Sequence, residues 1–132
     1  MKYLLDTHTL VWAMIDRGKL SPKVSGILEE PSNEVLVSTI SFWEISLKFS
    51  LGKLNLHGVT PDEIPELVGQ MQFRIMPLNA TESSTYHNLK TLHHRDPFDR
   101  MLIWQAIQSN LGFISNDNKM QEYQPQGLRL IW

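Results

Sequence analysis

The sequence predicts an α/β fold in which helices cover a mainly parallel sheet. Short apolar runs of strand length alternate with longer helical stretches along the whole chain. Prolines and glycines punctuate those stretches where helices start and stop. Two of the apolar runs also end at or just before an aspartate, Asp6 and Asp117. Folds of this class collect ligands at that place, beyond the carboxyl ends of the strands.

Lys2–Asp6 is a short strand, and Thr7–Asp16 follows as a helix with Leu10, Trp12, Ala13 and Met14 as apolar surface. Ser21-Pro22 starts a second helix, serine as N-cap and proline in the first turn, running to about Glu30. Pro31-Ser32-Asn33 turns the chain into Glu34–Ser38, whose Val35-Leu36-Val37 reads as a buried strand. Ile40–Leu51 is a helix stopped by Gly52. Thr60-Pro61-Asp62-Glu63 opens the next helix, with two acids facing the positive end of its dipole. Phe73–Leu78 is a third strand and Thr81–Leu92 is helical. Asp96-Pro97 starts a strong helix that reaches about Asn110, and Gly112–Ser115 and Leu128–Trp132 are the last two strands. No repeat, low-complexity tract or linker divides the chain, so one domain over residues 1–132 is expected.

A composition of 42% hydrophobic and 20% charged residues is that of an ordinary folded domain, without need of staples. With no cysteine, disulfides and thiolate zinc sites are excluded. Asp6 interrupts any signal-like apolar region, and no run of about 18 apolar residues exists to span a membrane, so a cytoplasmic location is expected. The net charge of -2 argues against a nonspecific nucleic-acid binder, unless bound cations offset the acids locally.

Each candidate acid has a structural reading. Asp6 can be a helix N-cap, and Glu44 an exposed helical residue paired with Lys48 four positions on. Asp96, before proline, is an N-cap, and Asp99, the third helical residue, can close a capping box. Asp117 can cap the short segment toward Tyr123. Their joint arrangement says more, because two strand-end acids and one helix-start acid converge on one edge of the sheet. Two carboxylates about 6 Å apart repel by roughly 3 kcal/mol at an effective dielectric near 20. A cation or a shared proton must compensate such a cluster, and all-oxygen ligands point to magnesium, manganese or calcium.

Other chemistry is sparse. The histidines His8, His57, His87, His93 and His94 form no H-E-x-x-H pattern, and adjacent His93 and His94 point about 100° apart on a helix, a poor chelate. They read as surface or helix-end residues. There is no G-x-S-x-G, no glycine-rich phosphate loop and no cysteine nucleophile. Trp12, Trp43, Trp104 and Trp132 read as core or dimer contacts. Lys48, Arg95 and Arg100 lie near the acids in sequence and are candidate phosphate contacts.

The stretches Met1–Leu10, Ser41-Phe42-Trp43-Glu44-Ile45, His94–Ile103 and Ile114-Ser115-Asn116-Asp117, in that order, resemble the PIN-domain family, and within it the VapC-like toxins of bacterial toxin–antitoxin pairs. The resemblance implies a three-layer α/β/α sandwich around a parallel sheet of about five strands. It implies that Asp6, Glu44, Asp99 and Asp117 form a catalytic, metal-holding set for Mg2+ or Mn2+. Thr7 and Ser115 would support the carboxylates, and Asp96 would cap the helix that presents Asp99. The implied activity is metal-assisted endonucleolytic cleavage of RNA, with a cognate antitoxin and a homodimer as partners. Two rivals stay open. One is an RNA-processing or flap-type PIN-like nuclease outside a toxin–antitoxin pair. The other is a non-catalytic module, either a magnesium-binding signalling domain that takes a phosphoryl group on aspartate, as response-regulator receivers do, or an interaction module whose acids are structural caps.

Overall fold

A computed structural model describes residues 1–90 and 93–132. The sheet is built from β1 (Lys2–Leu5), β2 (Glu34–Ser38), β3 (Arg74–Met76), β4 (Gly112–Ile114) and β5 (Arg129–Ile131). The α-helices are α1 (Thr7–Ile15), α2 (Pro22–Glu29), α3 (Thr39–Ser50), α4 (Ile64–Gln70), α5 (Ala80–Thr85) and α6 (Pro97–Gln108). All five strands run parallel in the order β3-β2-β1-β4-β5. With helices on both faces this is the expected three-layer sandwich.

Alternation along β1 sets the two faces. Tyr3 and Leu5 enter one apolar core with Val35, Val37, Ile45 and Ile114. Leu4 points the other way and meets Leu102, Ile103, Phe113 and Tyr123. Gly112 allows the close approach of β4 to its neighbours. A Cβ there would stand 2.7 Å from Ile131 Cδ1 and 2.9 Å from Tyr3 Cδ1.

Local chemistry fixes the helix ends. The Ser21 side chain caps α2 by accepting from the Val24 amide at 3.1 Å. Asp96 caps α6, with Pro97 in its first turn. Gly52, at φ +69°, follows the last turn of α3. The structure also corrects three boundaries. The helix expected from Thr60 forms as a 3-10 turn (Pro61–Glu63) followed by α4, because Pro65 has no amide hydrogen to continue a single ladder. The strand expected over Phe73–Leu78 pairs only at Arg74–Met76. The helix expected over Thr81–Leu92 closes at Thr85 and gives way to a 3-10 turn at Tyr86–Asn88; its expected end at Leu92 lies outside the described residues.

Candidate functional site

The chain leaves β1 toward β2 on one side and returns to β4 on the other, so a topological switch lies between β1 and β4. In open α/β sheets the crevice beyond that point receives ligands. Asp6 follows β1 directly. Its amide donates to the Ile114 carbonyl at 3.1 Å, extending the β1–β4 ladder. Its Oδ1 accepts from the Thr9 amide at 2.7 Å, capping α1. The capping role and a place at the crevice are therefore held together. Burial pushes the Asp6 carboxyl above the ordinary aspartate value, against hydrogen bonds from Ser115 and Thr9 and the charge of His8.

Asp117 lies three residues past β4. Its amide donates to Ser115 Oγ at 3.1 Å, and its Oδ1 accepts from the Lys119 amide at 3.0 Å. Across the crevice, α6 presents Asp99 one turn in, where the Asp96 carboxylate accepts from the Asp99 amide at 3.0 Å. Burial, then the charges of Asp96, Glu44, Asp6 and Asp117, push the Asp99 carboxyl up to about 8. Four acids from α3, the helix cap and two strand ends thus act on one carboxylate.

Glu44 departs from the exposed reading, at 2% exposure on the packed face of α3 with Ser41 and Ile45. Its Oε2 accepts from Lys48, and its Oε1 has no partner among the described residues. Burial acts to lower the Lys48 pKa, but Glu44, Asp96 and Asp99 outweigh it and hold the ammonium above its usual value.

Ligand atoms of His94, Asp99 and Asp117 all lie within 4.8 Å of one another. Asp6 and Glu44 are outside that tight trio and reach Asp99 through their charge. His94 corrects the surface reading of the paired histidines. The His93 side chain is 94% exposed, but that of His94 is 6% exposed, with Nε2 3.1 Å from Asp99 Oδ2. No sequence motif marks His94 beyond its place just ahead of the Asp96-Pro97 cap, since its burial depends on contacts with residues near 122. A cleft of about 610 Å³ opens over these groups, lined by His93–Asp96, Asp99, Asp117, Lys119 and Glu122.

Other expectations are also revised. Arg100 is not available to a ligand in the cleft. It is 5% exposed, and its guanidinium donates to Tyr86 Oη at 2.8 Å, Tyr123 Oη at 2.9 Å and the Leu89 carbonyl at 3.1 Å. Among the sequence-chosen cations, Arg95 is exposed at the cleft wall and Lys48 sits on Glu44. Lys119, exposed and also lining the cleft, was not among those candidates. The Thr7 hydroxyl donates to Ser41 Oγ at 3.0 Å, linking α1 to α3, and it is the Thr9 backbone amide that donates to Asp6. Trp43 is not core: it is 62% exposed and packs edge-on to Phe98, with ring centroids 5.1 Å apart.

A parallel five-stranded sheet with carboxylates gathered at its switch point defines an α/β domain with an acidic cleft suited to a cation. The PIN domain family model matches residues 3–124, and the chain belongs to that family. Its fold is similar to that of VapBC2 from Rickettsia felis bound to a DNA fragment from its promoter, with TM-score 0.71 and 20% identity over 100% of this chain and 99% of that one. VapBC-1 from nontypeable Haemophilus influenzae aligns with TM-score 0.68 and 18% identity, over 99% and 97% of the two chains. FitAcB from Neisseria gonorrhoeae aligns with TM-score 0.63 and 21% identity, over 98% and 96%. No curated protein matches the chain. Among the described residues no helix is long and apolar enough to cross a membrane.

Proposed function

We propose that this protein is a divalent-metal-dependent endoribonuclease acting as the toxin of a type II toxin–antitoxin pair. The observation that carries the reading is the convergence of Asp6, Glu44, Asp96 and Asp117 on Asp99, whose burial, together with those charges, holds its carboxyl near 8. Charges so arranged call for a counter-ion. The bare, buried Oε1 of Glu44 fits the same need. Carboxylate oxygens suit Mg2+ or Mn2+. Asp99 and Asp117 would hold the ion, with Asp6 and Glu44 completing its surroundings. Such an ion supplies charge stabilisation to a phosphodiester and lowers the pKa of water.

The chain's own groups would do the rest. Arg95 and Lys119, both exposed and lining the cleft, would engage phosphates of the substrate. PIN-family membership and the likeness to VapBC structures support the toxin assignment. The exposed apolar residues Trp43, Leu47 and Leu51 on and just after α3 supply uncovered surface for an antitoxin or a second copy. The receiver-like signalling alternative fits less well, because flavodoxin-like domains order their strands 2-1-3-4-5 and this sheet runs β3-β2-β1-β4-β5.

The test is cleavage of total RNA, transfer RNA and single-stranded DNA by purified protein, with Mg2+, with Mn2+ and with chelator. RNA cleavage that needs the ion and disappears in Asp6→Asn and Asp99→Asn is expected. Equal cleavage by the parent and both variants would sink the proposal, and preferential cutting of DNA would remove the ribonuclease assignment.

A further inference from the structure

His94 is fixed in place by its backbone and spends its ring on the acidic cleft. Its amide donates to Glu122 Oε1 at 2.9 Å, and its carbonyl accepts from Tyr123 Oη at 2.8 Å. Tyr123 Oη in turn accepts from the buried guanidinium of Arg100 at 2.9 Å. The imidazole lies edge-on to the Tyr123 ring, with centroids 6.0 Å apart at 73°.

The His94 Nδ1 is buried with no partner among the described residues, and Nε2 faces Asp99 Oδ2 at 3.1 Å. Asp117 brings a third donor within 4.8 Å of both. The bare Oε1 of Glu44 is a second buried donor without a partner near Asp99.

We infer that His94 is a nitrogen ligand of the divalent ion, making the cleft a mixed nitrogen–oxygen site that selects a transition-metal ion such as Mn2+ over Mg2+. The inference rests on the metal-dependent reading above and deepens it. Imidazole is a good donor to borderline transition ions, and Mg2+ prefers an all-oxygen, partly hydrated shell. The braced backbone holds the nitrogen in position before any ion arrives. A histidine that served only as an ion-pair partner of Asp99 would make the same 3.1 Å contact, so the two roles are separated by what a bound ion senses.

Pulsed electron paramagnetic resonance of chelator-stripped protein reloaded with one equivalent of Mn2+ reads this directly. Nitrogen-14 modulation from a coordinated imidazole is expected in the parent, in His93→Gln and in His8→Gln, and is lost in His94→Gln. Calorimetric titration should find Mn2+ affinity reduced about tenfold or more in His94→Gln, with Mg2+ affinity nearly unchanged. Tight Mn2+ binding by the parent without nitrogen modulation overturns the inference and leaves the carboxylate site standing. Modulation that survives in His94→Gln, or vanishes in His8→Gln, overturns it as well. No Mn2+ binding by the parent removes both the inference and the metal reading beneath it.

Discussion

The buried carboxylate of Glu44 is gripped at one oxygen by Lys48 and left without a partner at the other. A half-compensated charge of this kind ties folding stability to whatever cation is at hand. Removing the lysine as Lys48→Met leaves Glu44 with neither oxygen satisfied, which should destabilise the metal-free protein by about 1–3 kcal/mol. Added Mg2+ or Mn2+ should then recover more stability in the variant than in the parent. Urea unfolding with and without the ion measures both effects, and identical curves for the two proteins would show that Glu44 carries no charge needing compensation.

Asp99 gives a pH dependence with a definite sign. Its folded-state value of about 8 lies above the ordinary 3.8, so between those values the folded protein keeps a proton that the unfolded chain has released. Stability from this group is full below about pH 4 and is lost as pH rises toward 8, at about 1.4 kcal/mol per pH unit. The metal-free parent should therefore lose unfolding midpoint from pH 5 to 8, and Asp99→Asn should flatten that slope. Thermal melts across the range decide it. A parent whose midpoint rises over the same window would contradict the crowding of acids around Asp99.

Arg100 belongs to the core of the protein, so its replacement should cost stability. Arg100→Lys cannot reproduce the planar fork that serves Tyr86, Tyr123 and the Leu89 carbonyl together. A loss of about 1–3 kcal/mol is expected, with buried acceptors left unpaired. Divalent-ion affinity measured well below the melting point should weaken as well, since His94 loses its brace through Tyr123. Unchanged stability with a defect confined to RNA binding would return Arg100 to the surface role suggested by sequence.

Gly112→Ala should cost about 1–3 kcal/mol, because the new methyl meets Ile131 Cδ1 and the Tyr3 ring. Adding Ile131→Val removes that Cδ1 and should restore part of the loss. A double variant no more stable than Gly112→Ala alone would place the strain elsewhere.

The sequence makes the sheet legible because each strand is short, apolar and bounded by turn chemistry. The positions of Asp6 and Asp117 follow from those strands, and the place of Asp99 follows from the Asp96-Pro97 cap. The burial of Glu44 is not legible. Glutamate is exposed by default, Lys48 four residues on supplies an ordinary explanation, and the packing of α3 against α6 and α1 decides the matter. His94 is hidden for a related reason. Its orientation depends on Glu122 and Tyr123, far away in sequence, and nothing local announces them. Arg100 misleads because an arginine beside an acidic motif looks like a phosphate contact until the tyrosines that enclose it are in place.

The central pairing of β1 with β4 also sets a clock on synthesis. β1 is complete within the first five residues, but its neighbour ends at Ile114, so a chain emerging from a ribosome carries Asp6 and Glu44 long before Asp99 and Asp117 exist. The crevice cannot close around anything until β4 and Asp117 have been made. Whatever chemistry it performs is withheld until synthesis has passed β4 and Asp117.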